Sequence, residues 1–121
     1  VHSAAVSDYR PAAVISKKIT SGLKNLRINL KPTPKLIDIF KKIQPDIFLV
    51  GFKFEPGTSR FQLVKESLKQ IRVSGANLVA ANTIVGKRYI AYLVERGGCC
   101  GPFSSKDAMV TGLLKLFKRI I

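Results

Sequence analysis

Apolar residues in this chain fall in short unbroken runs, separated by stretches in which they recur every three or four positions. Ile47 to Phe52 and Leu78 to Ala81 are near-continuous, the pattern of strands buried on both faces. Between them, Ser59 to Val73 predicts a helix with Phe61, Val64, Leu68 and Ile71 on one side and Gly75 as its stop. Strand, helix and strand in that order predict a right-handed βαβ crossover, with its two strands parallel. Val1 to Val6 reads as an opening strand. Thr33-Pro34 supplies the N-cap and first position of a helix to about Ile43, and Gln44-Pro45-Asp46 breaks it. Tyr89 to Val94 makes a further strand and Gly97 to Pro102 a loop. The last helix, capped by Ser104 or Ser105, buries Met109, Leu113, Leu116, Phe117 and Ile120. In the basic segment from Arg10 to Lys31, two runs flank a Ser21-Gly22 turn, and alternation from Leu26 to Leu30 predicts a half-buried hairpin strand. The class is α/β, with a mostly parallel sheet, flanking helices and a β-hairpin arm at about 10–31 on a single domain spanning 1–121.

The strand endings carry the candidate chemistry. Three apolar runs close on polar groups: Ala4-Ala5-Val6-Ser7-Asp8-Tyr9, Gly51-Phe52-Lys53-Phe54-Glu55 and Ala80-Ala81-Asn82. Ligands of open parallel sheets bind beyond the carboxyl ends of the strands, so these three endings are expected to converge on one crevice. Ala4 and Ala5 leave room for a ligand to approach the backbone; the structural alternative has them pack on a helix while Asp8 caps a turn. Glu55 ends the most apolar strand and needs Lys53 or another cation, backbone amides, a metal or a ligand as partner. Asn82 offers donor and acceptor together to a base edge or ribose, or simply closes its strand. Phe52 suits a base face or plain core. Lys69 and Arg72, on the intervening helix, are either solvated or poised to neutralise phosphate.

Twenty-one Lys and Arg against seven Asp and Glu give a net charge of +14, a field that attracts phosphates, nucleic acid or anionic lipid. Unbroken apolar runs such as Ile47 to Val50 fall far short of the roughly 20 residues that span a bilayer, so a cytoplasmic protein off the membrane is expected. His2 is the sole histidine, which leaves no Ser-His-Asp set, and no glycine-rich phosphate loop is present. Cys99 and Cys100 read as reduced loop cysteines, and no resident metal site is expected. The chain opens at Val1 inside its first strand and reads as a piece of something longer.

In order and spacing, Val1 to Tyr9, Lys17-Lys18-Ile19, Lys31 to Leu36, Val50 to Glu55, Val79 to Asn82 and Ser105 to Ala108 resemble one family. It is the carboxy-terminal half of phosphopantothenate–cysteine ligase, an enzyme of coenzyme A biosynthesis. The resemblance implies a Rossmann-like dimer, incomplete without its amino-terminal half. It implies that CTP or ATP, with Mg²⁺, activates the carboxylate of 4′-phosphopantothenate as an acyl-nucleotidylate before cysteine forms the amide, with no flavin in this portion. By the same resemblance Ala4, Ala5 and Asp8 contact phosphopantothenate, and Phe52, Lys53 and Asn82 hold the nucleotide. Lys69 then meets its phosphates as the catalytic cation, and Glu55 lies near the ribose or Mg²⁺. The arm packs on the second subunit, and Lys17 and Lys18 serve a phosphate across the dimer. Two other readings stand beside it: a basic nucleic-acid-binding module, which the lack of a recognisable motif weakens, and a catalytically idle ligase remnant.

Overall fold

The computed structural model describes residues 1–4 and 6–120. The chain divides into two compact units, Val1–Ser3 with Ile37–Ile121, and Ala4–Leu36.

In the smaller unit, β1 (Tyr9–Pro11) and β2 (Leu30–Pro32) pair antiparallel, with Tyr9 opposite Pro32 and Pro11 opposite Leu30. The amides of Ala12 and Thr33 extend the ladder by donating to Asn29 O and Asp8 O. The expected arm is therefore a hairpin, but its strands are three residues long and wholly exposed. The alternation at Leu26 to Leu30 does not mark a half-buried strand: Leu26, Ile28 and Leu30 are each more than half exposed.

The larger unit is built on a four-stranded sheet in the order β3 (Val50–Phe54), β4 (Leu78–Val85), β5 (Arg88–Glu95), β6 (Gly98–Phe103). The predicted βαβ crossover is present. β3 and β4 are parallel neighbours, Val50 opposite Leu78 and Phe54 opposite Asn82, joined through α2 (Arg60–Ser74). Beyond β4 the sheet is mixed rather than parallel, because two-residue turns at 86–87 and 96–97 reverse the chain and such short links join only antiparallel strands. The segment expected as a loop at Gly97 to Pro102 is strand β6. Its register against β5 slips between Ala91 and Leu93, where Gly101 has φ 133° and a Cβ would stand 2.8 Å from Ala91 O. The glycines that suggested a loop permit this bulge.

Two layers of helix cover the sheet. On one face, α1 (Ile37–Ile43) and α2 close a core of Leu49, Leu63, Ile71, Val79, Ala81, Tyr92 and Val94. On the other, α3 (Lys106–Ile120) packs Met109 and Leu113 onto Val50, Leu78, Ala80, Ala91 and Leu93. α2 has the predicted ends: Ser59 Oγ accepts from Gln62 N at 3.3 Å, and Gly75 closes it at φ 71°. Its buried stripe differs from the predicted one, being Leu63, Ser67, Ile71 and Ser74, while Phe61 is 77% exposed. The two serines donate back to Leu63 O and Gln70 O, which satisfies their hydroxyls inside the core. α3 is capped by Ser105, whose Oγ accepts from Ala108 N at 3.1 Å; Ile120, expected in its buried face, is half exposed.

Three boundaries move, the first being that of β4, which extends past the expected Leu78 to Ala81 as far as Val85. α1 starts at Ile37, not Pro34, because the amide of Thr33 is still in the β1–β2 ladder. The described residues of Val1 to Val6 form no strand. His2 N donates to Val50 O and its ring meets Phe40 edge-on at 5.2 Å, but one hydrogen bond makes no ladder and Val1 is 69% exposed.

Candidate functional site

Two of the three polar groups expected at strand endings adjoin where β3 ends, but Asn82 lies inside β4, which runs on to Val85 because Thr83, Ile84 and Val85 pair with β5. Parallel register fixes which side chains share a face, since opposed residues on neighbouring strands point the same way. Phe52 lies opposite Ala80 and Phe54 opposite Asn82. Val50, Leu78 and Ala80 face α3, so Phe52, Phe54 and Asn82 share that face. Phe52 is half-buried against the α3-side core, whereas Phe54, one step further along, is 53% exposed beside the half-buried Asn82. An exposed aromatic plane next to a carboxamide is a surface suited to a planar, hydrogen-bonding heterocycle. Phe54 was not singled out by sequence reasoning, although the two-residue period of its strand places it with Asn82.

Lys53 and Glu55 fall on the opposite face. Lys53 Nζ lies 2.8 Å from Glu55 Oε1, the pairing that an acid at the end of an apolar strand calls for. With side chains 30% and 38% exposed the pair is worth about 0–1 kcal/mol. The backbone behind it is tightly held. Glu55 N donates to Asn82 O, Gly57 N to Ile84 O, and Thr58 N to Thr83 Oγ1, which ties the β3–α2 connection to β4 along its length.

On α2, Gln70 is the residue aimed at β3. Its Nε2 stands 2.6 Å from where a Cβ on Gly51 would lie, and Ile37 Cδ1 stands 2.7 Å from the same point, so Gly51 is required for this packing. Gly51 is the second residue of β3, and Gln70 accordingly marks the strand's amino-terminal end. Lys69, its exposed neighbour, lies nine residues past Arg60, about 14 Å along the helix axis from its start. A phosphate met by Lys69 therefore lies along α2 rather than over the carboxyl ends. Arg60 is the α2 cation at the carboxyl end, its guanidinium 5.6 Å from the centroid of the Tyr92 ring.

Tyr89 faces the same side as Asn82, through the pairs Ile84–Tyr89 and Asn82–Ala91. Its hydroxyl donates to Met109 Sδ at 3.6 Å, and burial pushes the phenol above its ordinary value of 10.0.

The remaining expected site residues belong to the smaller unit. Ala4 is exposed, Asp8 is exposed with its carbonyl accepting from Thr33 N, and Lys17 and Lys18 are exposed near the hairpin turn. Ala5 lies outside the described residues. Thr33 Oγ1 is buried without a hydrogen-bond partner. Among the described residues no three His, Cys, Asp or Glu side chains gather as a metal cage.

Known proteins of similar sequence and shape narrow the assignment. Residues 1–93 match the DNA/pantothenate metabolism flavoprotein C-terminal domain family. The chain is 49% identical over 84 residues to the coenzyme A biosynthesis bifunctional protein CoaBC of Thermococcus kodakarensis, a match covering 69% of this chain and 21% of that protein. The crystal structure of the DNA/pantothenate metabolism flavoprotein from Streptococcus pneumoniae superimposes with a TM-score of 0.81 at 27% identity, over 97% of this chain and 61% of that one. The C-terminal domain of a coenzyme A biosynthesis bifunctional protein CoaBC shares the fold, with a TM-score of 0.66 at 21% identity, over 97% of this chain and 51% of that one. The chain thus spans about a fifth of the curated relative and about half to three-fifths of the two solved structures. β6 and α3 fall beyond the residues the family matches, while the structural matches extend over 97% of the chain. The chain belongs to the DNA/pantothenate metabolism flavoprotein C-terminal domain family, the part of phosphopantothenate–cysteine ligase that its AAVSDY and GFKFE segments resemble.

Proposed function

We propose that this chain is the nucleotide- and substrate-binding carboxy-terminal portion of a phosphopantothenate–cysteine ligase of coenzyme A biosynthesis, working with an amino-terminal half and as a dimer through its arm. The observation that carries the reading is the grouping of Phe52, Phe54 and Asn82 on one face where β3 ends alongside β4. Asn82 hydrogen-bonds the base or ribose of CTP or ATP, Phe54 stacks on the base, and Phe52 supports that face from the core. Ala4, Ala5 and Asp8 take phosphopantothenate and Lys17 and Lys18 a phosphate from across the dimer, while Lys69, on the α2 side of the sheet, stands outside the nucleotide site built by Phe54 and Asn82.

In the first step a carboxylate oxygen of 4′-phosphopantothenate attacks the α-phosphorus, and pyrophosphate leaves with the electrons of the broken P–O bond. In the second, the amine of cysteine attacks the acyl carbon, the nucleoside monophosphate departs, and the amine loses its proton. The accumulating charge lies on phosphate oxygens, so fixed cations serve this chemistry better than a protein acid or base. Mg²⁺, when bound, offsets phosphate charge. Glu55 alone, already paired with Lys53, makes no resident site for it, which fits an ion that arrives with the triphosphate.

The test is pyrophosphate release by this chain together with the amino-terminal half, with phosphopantothenate, Mg²⁺ and either CTP or ATP. Release that requires phosphopantothenate is expected and names the nucleotide. Asn82→Ala should abolish nucleotide binding by calorimetry, whereas Asp8→Ala should spare it and impair use of phosphopantothenate. Unchanged turnover in both variants would overturn the site, and no release from a folded, complete assembly would leave an idle remnant.

A further inference from the structure

α2 packs on β4 and β5 with α1 beside it, on the face opposite α3. A helix is about 10 Å across and strands stand about 4.8 Å apart, so one helix covers about two strands. The α2-side face of β6, the edge strand, is consequently left uncovered. That space is a groove of about 440 Å³ between α2 and β6, floored by Phe61, Val64, Leu68 and Cys99. Its rim is cationic: Arg60, Lys65 and Arg72 line it, and Arg96 joins Arg72 where it continues past Leu68. Among the described residues no acidic side chain lines it. Phe61, Val64, Lys65, Leu68 and Arg72 recur at three- and four-residue intervals, a stripe about 16 Å long, or three helical turns.

We propose that this groove docks an amphipathic helix of a partner polypeptide, with apolar residues at i, i+3, i+4 and i+7 on one face and Glu or Asp along its flanks. The apolar floor takes the i, i+3, i+4 anchors, and the rim cations pair with the flanking acids. Charge decides the class of partner. A second copy of this chain would bring its own +14 and the same rim against this one. A nucleic acid would meet the rim and leave the aromatic and aliphatic floor unfilled.

Cys99 and Cys100 are adjacent in β6 and alternate across the sheet. Cys99 packs with the α2-side core, half-buried in the groove, while Cys100 is exposed on the other side. The pair is a built-in footprint with its own control. Alkylation of this chain by N-ethylmaleimide, followed by mass spectrometry, is run with a four-turn Leu/Glu amphipathic peptide and with a scrambled peptide of the same composition. The expected result is several-fold slower alkylation of Cys99 with the amphipathic peptide alone, Cys100 being unchanged. Phe61→Ala and Arg72→Glu change exposed side chains, so both variants should keep the parent's circular dichroism and melting temperature while losing about tenfold in peptide affinity. Lys118→Glu, on α3, should not. Equal protection by the scrambled peptide, an equal loss in Lys118→Glu, or no protection at all would overturn the proposal. So would protection of Cys99 by concentrating the chain alone, which would identify a second copy, or equal protection by a single-stranded RNA oligonucleotide.

Discussion

At the scale of single residues, the packing around Gly51 makes the sharpest demand. A methyl group there meets both Gln70 and Ile37 within 2.7 Å. Gly51→Ala should lower stability by about 1–3 kcal/mol in urea unfolding, as overpacking does. Gln70→Ala in the same background should recover part of the loss, because the far end of Gln70 is one of the two obstructions. Phe54 makes the matching demand for function. If its ring stacks on the base, Phe54→Ala should weaken nucleotide affinity about tenfold by calorimetry, since base–aromatic stacking is worth about 1–3 kcal/mol. Its 53% exposure makes a stability loss of that size unexpected. Tyr89 links this face to pH. Its phenol is raised above 10.0 by burial, so the folded chain holds the proton where the unfolded chain releases it. The stability tied to this group is complete below pH 10 and declines as pH rises through the folded value. Tyr89→Phe should flatten the alkaline fall in stability above pH 10, a slope that denaturant titrations at several pH values measure.

At the scale of elements, legibility followed local chemistry. α2 was readable at both ends because its signals, Ser59 and Gly75, act within four residues of themselves. Its buried face was less readable, since apolarity selected Phe61 while the sheet admits Ser67 and Ser74, small residues that satisfy their own hydroxyls. β6 was missed for a related reason. Its glycines and Pro102 signal a turn locally, yet pairing with β5 and the close approach at Gly101 decide its conformation. Of the candidate site, Asn82 and Glu55 were legible because they end apolar runs. The separation of Phe52 and Asn82 from Lys53 and Glu55 onto opposite faces became visible only with the β3–β4 register. Capping carries a quantitative consequence. Ser59→Ala removes the acceptor for Gln62 N and should cost about 1 kcal/mol. Because the connection before it is fastened to β4 by Glu55, Gly57 and Thr58, Ser59→Ala should leave nucleotide affinity within twofold, a split that paired unfolding and binding measurements detect.

At the scale of the whole molecule, the sheet has an unfinished look on one side. β3 holds Val50 and Gly51 fully buried and reads as a central strand, yet it ends the four-stranded order, and among the described residues its outer edge takes one amide, that of His2. Edge strands are ordinarily blunted by charge, proline or bulges, and the middle of β3 carries none of these before Lys53. A strand so apolar at an edge is one that a further part of the sheet would cover, and the chain spans 61% of the Streptococcus pneumoniae structure it resembles. If the proposed amino-terminal half completes the sheet, it binds the folded chain and not the unfolded one. At a hundred times its dissociation constant it should then add about 2.7 kcal/mol of stability. Hydrogen exchange locates the gain: protection should rise at the amides of β3, while those of β5, already paired on both sides, change little. Stabilisation with uniform protection across the sheet would instead place the contact elsewhere, and β3 would then be an edge in the working molecule as well.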